Sequence, residues 1–300
     1  RRLHKESHQN MDSIAMVRPI SKWAHSIYTP EAIPETVRKA FKIAEQEKPG
    51  VTVIELPEDV AHAEVGGEPI KPHKTRRAAA DHKAVRQAVE AIATAKNPIV
   101  LSGNGAVRKR AAQQLRRLVR KTGIGCVNTF MGKGAVPRDD EHCLFTIGLQ
   151  QKDHMNAALD ASDVVIAVGY DLVEYSPTHW NKRGGKTIIH IDFMPAEIDE
   201  DYDVDIEVVA DIADALWQIN EMLNDRYGDK LPLFDIGNRQ KLRQTILDDF
   251  AMEKDDASFP MKPQKILWDI REAMDPADVM VSDVGAHKMW IARYFQCDEP

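Results

Sequence analysis

The feature that most constrains this chain is a series of short, continuous apolar runs separated by helical patterns. The runs are Ile99-Val100-Leu101, Ile124-Gly125-Cys126-Val127, Val164-Val165-Ile166-Ala167-Val168, Thr187-Ile188-Ile189-His190-Ile191 and Ile206-Glu207-Val208-Val209. A strand that is apolar on successive residues must be covered on both faces, which is the condition of a parallel sheet between two helical layers. The spacing predicts an α/β fold with a doubly wound parallel sheet over residues 80–222. Ligands in such sheets bind beyond the carboxyl ends of the strands. Here those ends are residues 102–105, 129–134, 169–175 and 192–194.

The landmark is Asn97-Pro98-Ile99-Val100-Leu101-Ser102-Gly103-Asn104-Gly105, followed by a helical pattern over 107–121. Strand, glycine turn and helix open a parallel βαβ unit. No third glycine stands at dinucleotide spacing, so the turn by itself is first a structural connection. Gly132-Lys133-Gly134 likewise lacks the Walker spacing, which leaves open whether it meets a ligand or only turns the chain.

On either side the pattern changes. Residues 1–30 are polar and irregular in expectation, with three histidines (His4, His8, His25) at no metal spacing. A helix is predicted over 34–46 and a strand over Val51-Thr52-Val53-Ile54-Glu55-Leu56. Residues 66–77, with Gly66-Gly67, Pro69 and Pro72, form a linker. Residues 223–262 are a charge-rich connector with a helix near 240–250. A helix over 263–274, a strand at Val279-Met280-Val281-Ser282-Asp283 and a helix from 288 begin another α/β unit.

Composition removes whole classes of function. The net charge is −7, so no basic nucleic-acid footprint exists. No apolar run approaches the roughly 20 residues of a membrane span. Three scattered cysteines form neither a metal set nor a disulfide framework, which points to a reducing cytoplasm. The first residues carry neither an initiator Met nor an apolar signal core, so the sequence is read as an internal piece of a longer chain.

Three segments together resemble the thiamine diphosphate-dependent enzymes. They are His4-Lys5-Glu6-Ser7-His8-Gln9-Asn10-Met11-Asp12 with Arg18-Pro19-Ile20-Ser21-Lys22, the landmark with Gly132-Lys133-Gly134, and Asp283-Val284-Gly285-Ala286-His287-Lys288-Met289-Trp290. The resemblance implies a central Rossmann-like domain flanked by parts of two thiamine diphosphate-binding domains. The implied division is 1–70 for the end of the pyrimidine-binding domain and linker, 80–222 for the central domain, 223–262 for the connector, and 263–300 for the start of the diphosphate-binding domain. Gln9 falls on the family's active-site glutamine and Lys22 on a lysine near the substrate entrance. Gly285, Ala286 and His287 fall on the residues that hold the diphosphate. A helix N-terminus with free N–H groups suits that anion.

Within the family the chain is similar to the catabolic, FAD-independent acetolactate synthases. The biosynthetic enzymes carry an Arg-Phe-Asp-Asp-Arg stretch where this sequence has Tyr170-Asp171-Leu172-Val173-Glu174. Tyr170 and Glu174 replace cations, and an acid beside a dinucleotide's phosphates is unfavourable. The resemblance implies condensation of two pyruvates to 2-acetolactate and CO2 by carbanion and enamine chemistry on thiamine diphosphate. It also implies Mg2+, a homodimer or tetramer with active sites between subunits, and no FAD. The activating glutamate and the Mg2+ motif fall outside these 300 residues, so the piece alone is expected to be inactive. Two other readings stand: an FAD-containing relative such as a biosynthetic acetohydroxyacid synthase or pyruvate oxidase, and a nucleotide-binding or regulatory module on residues 80–222.

Overall fold

The computed structural model describes residues 11–73, 77–149, 153–182 and 184–300. The chain divides into two compact units, residues 1–77 and 78–300. In the first, α1 (Ser13–Val17) precedes β1 (Trp23–Ser26), α2 (Ile33–Glu45), β2 (Thr52–Glu55) and α3 (Glu58–Ala61). β1 and β2 pair in parallel, with Ala24 opposite Val53, and α2 is the crossover between them. The strand β1 corrects the expectation of an irregular first 30 residues. It is four residues of mixed polarity, which no apolar run announces. Its partner selects it, through ladder bonds that continue into Lys22 N–H to Val51 C=O and Ile27 N–H to Glu55 C=O (2.8 and 2.9 Å).

The second unit carries the sheet. Its elements run α4 (His82–Thr94), β3 (Pro98–Ser102), α5 (Lys109–Thr122), β4 (Gly125–Asn128), β5 (Cys143–Thr146), α6 (Asn156–Asp160), β6 (Val164–Val168), β7 (Thr187–Asp192), β8 (Ile206–Val209) and α7 (Ile212–Tyr227). All six strands are parallel, in the order β5-β4-β3-β6-β7-β8. Every residue of β3 and β6 is buried. This is the two-faced burial that the apolar runs demand. α7 packs against α4 and α5. Leu115, Leu118 and Val119 of α5 are fully buried, each stabilising by about 1.5–3 kcal/mol.

β5 is a sixth strand that periodicity does not announce. It is a short run, Cys143-Leu144-Phe145-Thr146, buried throughout, and Phe145 within it has a positive φ of 64°, beside a register shift against β4. What fixes it lies further along the chain. The helix α8 (Gly237–Ala251) brings Arg243, whose Nε donates to the Cys143 carbonyl (3.1 Å), and Phe250, edge-on to Phe145 at 5.2 Å.

α9 (Pro263–Ala273) and α10 (Ala286–Tyr294) follow. The strand expected at residues 279–283 is not formed. Val279 and Val281 are 82 % and 85 % exposed, and no strand among the described residues pairs with this segment. β-propensity without a hydrogen-bonding neighbour does not make a strand. No helix among the described residues is long and apolar enough to cross a membrane.

Candidate functional site

β3 leads on to β4 and β5 on one side, while β6 leads on to β7 and β8 on the other. The crevice at the carboxyl ends of β3 and β6 is therefore the topological switch point, where such sheets take a nucleotide. In this chain the crevice is filled from within. The Gly103 N–H donates to the Val168 carbonyl and the Gly105 N–H to the Gly169 carbonyl, at 3.0 and 2.8 Å. Gly169 has φ +57°, and a Cβ on it would stand 2.4 Å from the Gly105 Cα. The two turns touch backbone to backbone, which only glycine permits.

Glu174 occupies the anion position of the turn. Its carboxylate accepts from the Asn104 N–H (3.0 and 3.2 Å to its two oxygens), from the Asp171 N–H (3.3 Å) and from the Thr129 hydroxyl. Burial pushes its pKa up, against these hydrogen bonds and with the nearby Asp171 charge adding to the rise. Free backbone N–H groups at a strand-to-helix turn attract an anion, and here the anion is the chain's own side chain.

Tyr170 forms the floor. It is 3 % exposed, and its hydroxyl donates to the Tyr175 carbonyl and accepts from the Trp180 Nε1–H (3.3 Å). Its ring meets Trp180 and Tyr202 edge-on at 6.1 and 5.6 Å. Tyr202 in turn bonds His190 Nδ1 (3.0 Å), whose Nε2 lies 3.1 Å from the Met194 carbonyl. A carbonyl only accepts, so Nε2 carries the proton and Nδ1 accepts from Tyr202.

The sequence-predicted site residues are not gathered into this crevice. Gly285, Ala286 and His287 form the exposed entry to α10, with Gly285 at the N-cap and no side-chain cap. A Cβ at position 285 would lie 2.9 Å from the His287 Cε1, so the ring folds over the glycine. An uncapped, exposed N-terminus of a nine-residue helix, with a histidine beside it, fits a diphosphate. Lys22, in the first unit, donates from Nζ to the carbonyls of Gln46 and Lys48 (2.5 and 2.8 Å), just beyond α2. Gln9 lies outside the described residues. Among the described residues no cluster of three His, Cys, Asp or Glu could hold a metal.

Thr129 is the residue that sequence reasoning missed. It caps the turn over Phe130–Gly132, accepting from the Gly132 N–H at 3.1 Å while donating to Glu174. A threonine two residues after an apolar run and just before a glycine turn was the available signal.

The sheet order, the switch point and the glycine turns define a Rossmann-type nucleotide-binding fold whose nucleotide position holds a carboxylate. Residues 85–219 match the family described as thiamine pyrophosphate enzyme, central domain. Curated relatives match far beyond it. The chain is 32 % identical over 299 residues to an acetolactate synthase of Bacillus subtilis, covering 99 % of this chain and 52 % of the relative. It is 32 % identical over 290 residues to a catabolic acetolactate synthase of Raoultella terrigena (96 % and 51 %). It is 28 % identical over 299 residues to a glyoxylate carboligase of Escherichia coli O157:H7 (97 % and 50 %). The chain thus spans about half the length of the curated relatives it matches.

Proposed function

We propose that the protein is a thiamine diphosphate-dependent acetolactate synthase that condenses two pyruvates to 2-acetolactate and CO2 without FAD. The observation that carries the FAD-independent part is the Glu174 carboxylate on the Asn104 N–H. A dinucleotide phosphate drawn to that N–H would meet the carboxylate's charge. Two like charges 4 Å apart repel by about 4 kcal/mol at an effective dielectric of 20. The catabolic acetolactate synthase among the relatives supports the same reading.

In this reading Gly285, Ala286 and His287 hold the diphosphate, through N–H groups at the α10 N-terminus and the imidazole. When bound, thiamine diphosphate supplies the nucleophilic carbon and the electron sink for decarboxylation. The residues of this chain bind and orient it. Gln9 hydrogen-bonds at the reacting centre. Lys22 borders the substrate entrance, with its ammonium held on the Gln46 and Lys48 carbonyls. Mg2+ beside the diphosphate, a homodimer or tetramer, and a cytoplasmic location belong to the same proposal. The three cysteines are free thiols, two of them buried, which suits a reducing compartment.

The test uses the whole protein, stripped of FAD and given pyruvate, thiamine diphosphate and Mg2+, then acidified and assayed for acetoin. Acetoin without FAD is the expected result. Acetoin only after FAD is added moves the protein to the FAD-containing branch. No acetoin under either condition removes the acetolactate assignment.

A further inference from the structure

The Gly132-Lys133-Gly134 turn does not serve the crevice. Lys133 extends from it to the end of α10, where Nζ donates to the carbonyls of Ile291 (3.2 Å), Ala292 (2.8 Å) and Phe295. The last carbonyls of a helix run out of intrahelical donors and form the negative end of its dipole. A lysine ammonium offers three donors and a full charge to that end.

The turn that carries Lys133 is fixed on its other side. Gly132 lies so close to the end of β3 that a Cβ there would stand 2.2 Å from the Ser102 carbonyl oxygen. Its N–H is held by Thr129, and Thr129 is held by Glu174. Next to it, the Lys288 ammonium of α10 lies 4.9 Å from the centre of the Phe130 ring. A continuous set of contacts therefore runs from the Glu174 carboxylate, through Thr129 and Gly132, to Lys133 and the carboxyl end of α10.

We propose that Lys133 is a positioning residue for the cofactor anchor. By fastening the carboxyl end of α10 to the end of β3, it sets where the amino end of the same helix presents Gly285, Ala286 and His287. The inference rests on the thiamine diphosphate reading above. A nine-residue helix is about 13 Å long, so a tilt of roughly 10° at the fastened end moves the other by about 2 Å. A displacement of that size takes a hydrogen-bond donor out of reach of its acceptor. Burial pushes the Lys133 pKa down to about 8, with the Cys297 and Cys143 thiols opposing it, so the side chain is mostly the ammonium at neutral pH.

The test compares wild type, K133M and K133R in the whole protein. Thiamine diphosphate affinity is measured by calorimetry with Mg2+, and steady-state rates are measured against cofactor and pyruvate separately. K133M is expected to weaken thiamine diphosphate binding about tenfold, the scale of a lost charge-assisted contact at a helix end. At saturating cofactor, kcat should stay within about twofold and the pyruvate KM should not move. K133R, which keeps the cation, should recover most of the affinity. Should K133M be insoluble, K133Q takes its place in the same comparison. Equal cofactor affinity in wild type and variant overturns the role of Lys133, and so does a loss confined to kcat or pyruvate KM. A wild type that binds no thiamine diphosphate overturns the cofactor reading instead.

Discussion

Two turns of this molecule lead from an extended segment into a helical one through glycine, and they end in opposite states. At residues 103–105 the N–H groups are committed: Gly103 and Gly105 donate to the backbone at the end of β6, and Asn104 donates to Glu174. At residues 285–287 the backbone is exposed and the helix has no side-chain cap. The local chemistry is alike, a turn that offers N–H donors to an anion. The difference is whether the chain brings its own acceptor. A glycine turn thus marks where an anion can bind, and a nearby acid decides whether that anion comes from outside.

The largest effect expected from this contrast is steric. G169A puts a Cβ 2.4 Å from the Gly105 Cα at a residue with φ +57°, whereas G285A, at φ +158°, strains the backbone but meets only a histidine ring that can rotate away. G169A should cost roughly 2–4 kcal/mol of stability, from overpacking and the left-handed backbone together. G285A carries backbone strain alone and should cost less, about 1 kcal/mol. Urea denaturation of both variants measures the gap, and equal stabilities would break the contrast.

Next in size is the removal of each turn's polar partner. E174A leaves the Asn104 and Asp171 N–H groups and the Thr129 hydroxyl without their shared acceptor. The loss should be about 1–3 kcal/mol. H287A should barely change stability, yet weaken thiamine diphosphate binding about tenfold, as loss of a hydrogen bond to a charged group does. Titrating FAD into the wild type sharpens the same point. Saturable binding in the micromolar range would show that Glu174 yields to a dinucleotide.

How much of this was legible depended on how far apart the deciding residues lie. The core strands β3, β6 and β7 were plain because burial on both faces writes itself as an uninterrupted apolar run. The meaning of Tyr170 and Glu174 was legible as a change of charge, but not the contact with Asn104, which is 70 residues away in sequence. β1 was hidden because its strand character comes from its partner β2, whereas β5 is a buried apolar run of only four residues, too short to stand out, and Arg243 and Phe250 hold it in place. The segment at 279–283 failed in the other direction, with strand-forming residues and nothing to pair with. Lys133 illustrates the limit most sharply. Its motif left open whether it meets a ligand or only turns the chain, and its partners are carbonyls about 160 residues further on.

The smallest effect is a dependence on pH, and it separates the half-buried Glu174 from a buried carboxylate. Burial raises the folded pKa of Glu174 above its ordinary 4.5. Between those two values the native state holds a proton that the unfolded chain has released, so stability falls as pH rises through that window. Asp140 behaves in the opposite way. Burial pushes its pKa up, but hydrogen bonds from His142 and Arg120 outweigh it and hold the carboxyl well below the ordinary range. Its contribution is present above the ordinary carboxylate value and is lost as pH falls. Melting temperatures of wild type, E174Q and D140N between about pH 3 and about pH 7 read both signs at once. Relative to E174Q, the wild type should lose stability on going up from the acid side; relative to D140N, it should gain. A flat difference for E174Q would mean that the carboxylate is solvated, and would count against the proposal that it keeps a dinucleotide out of the crevice.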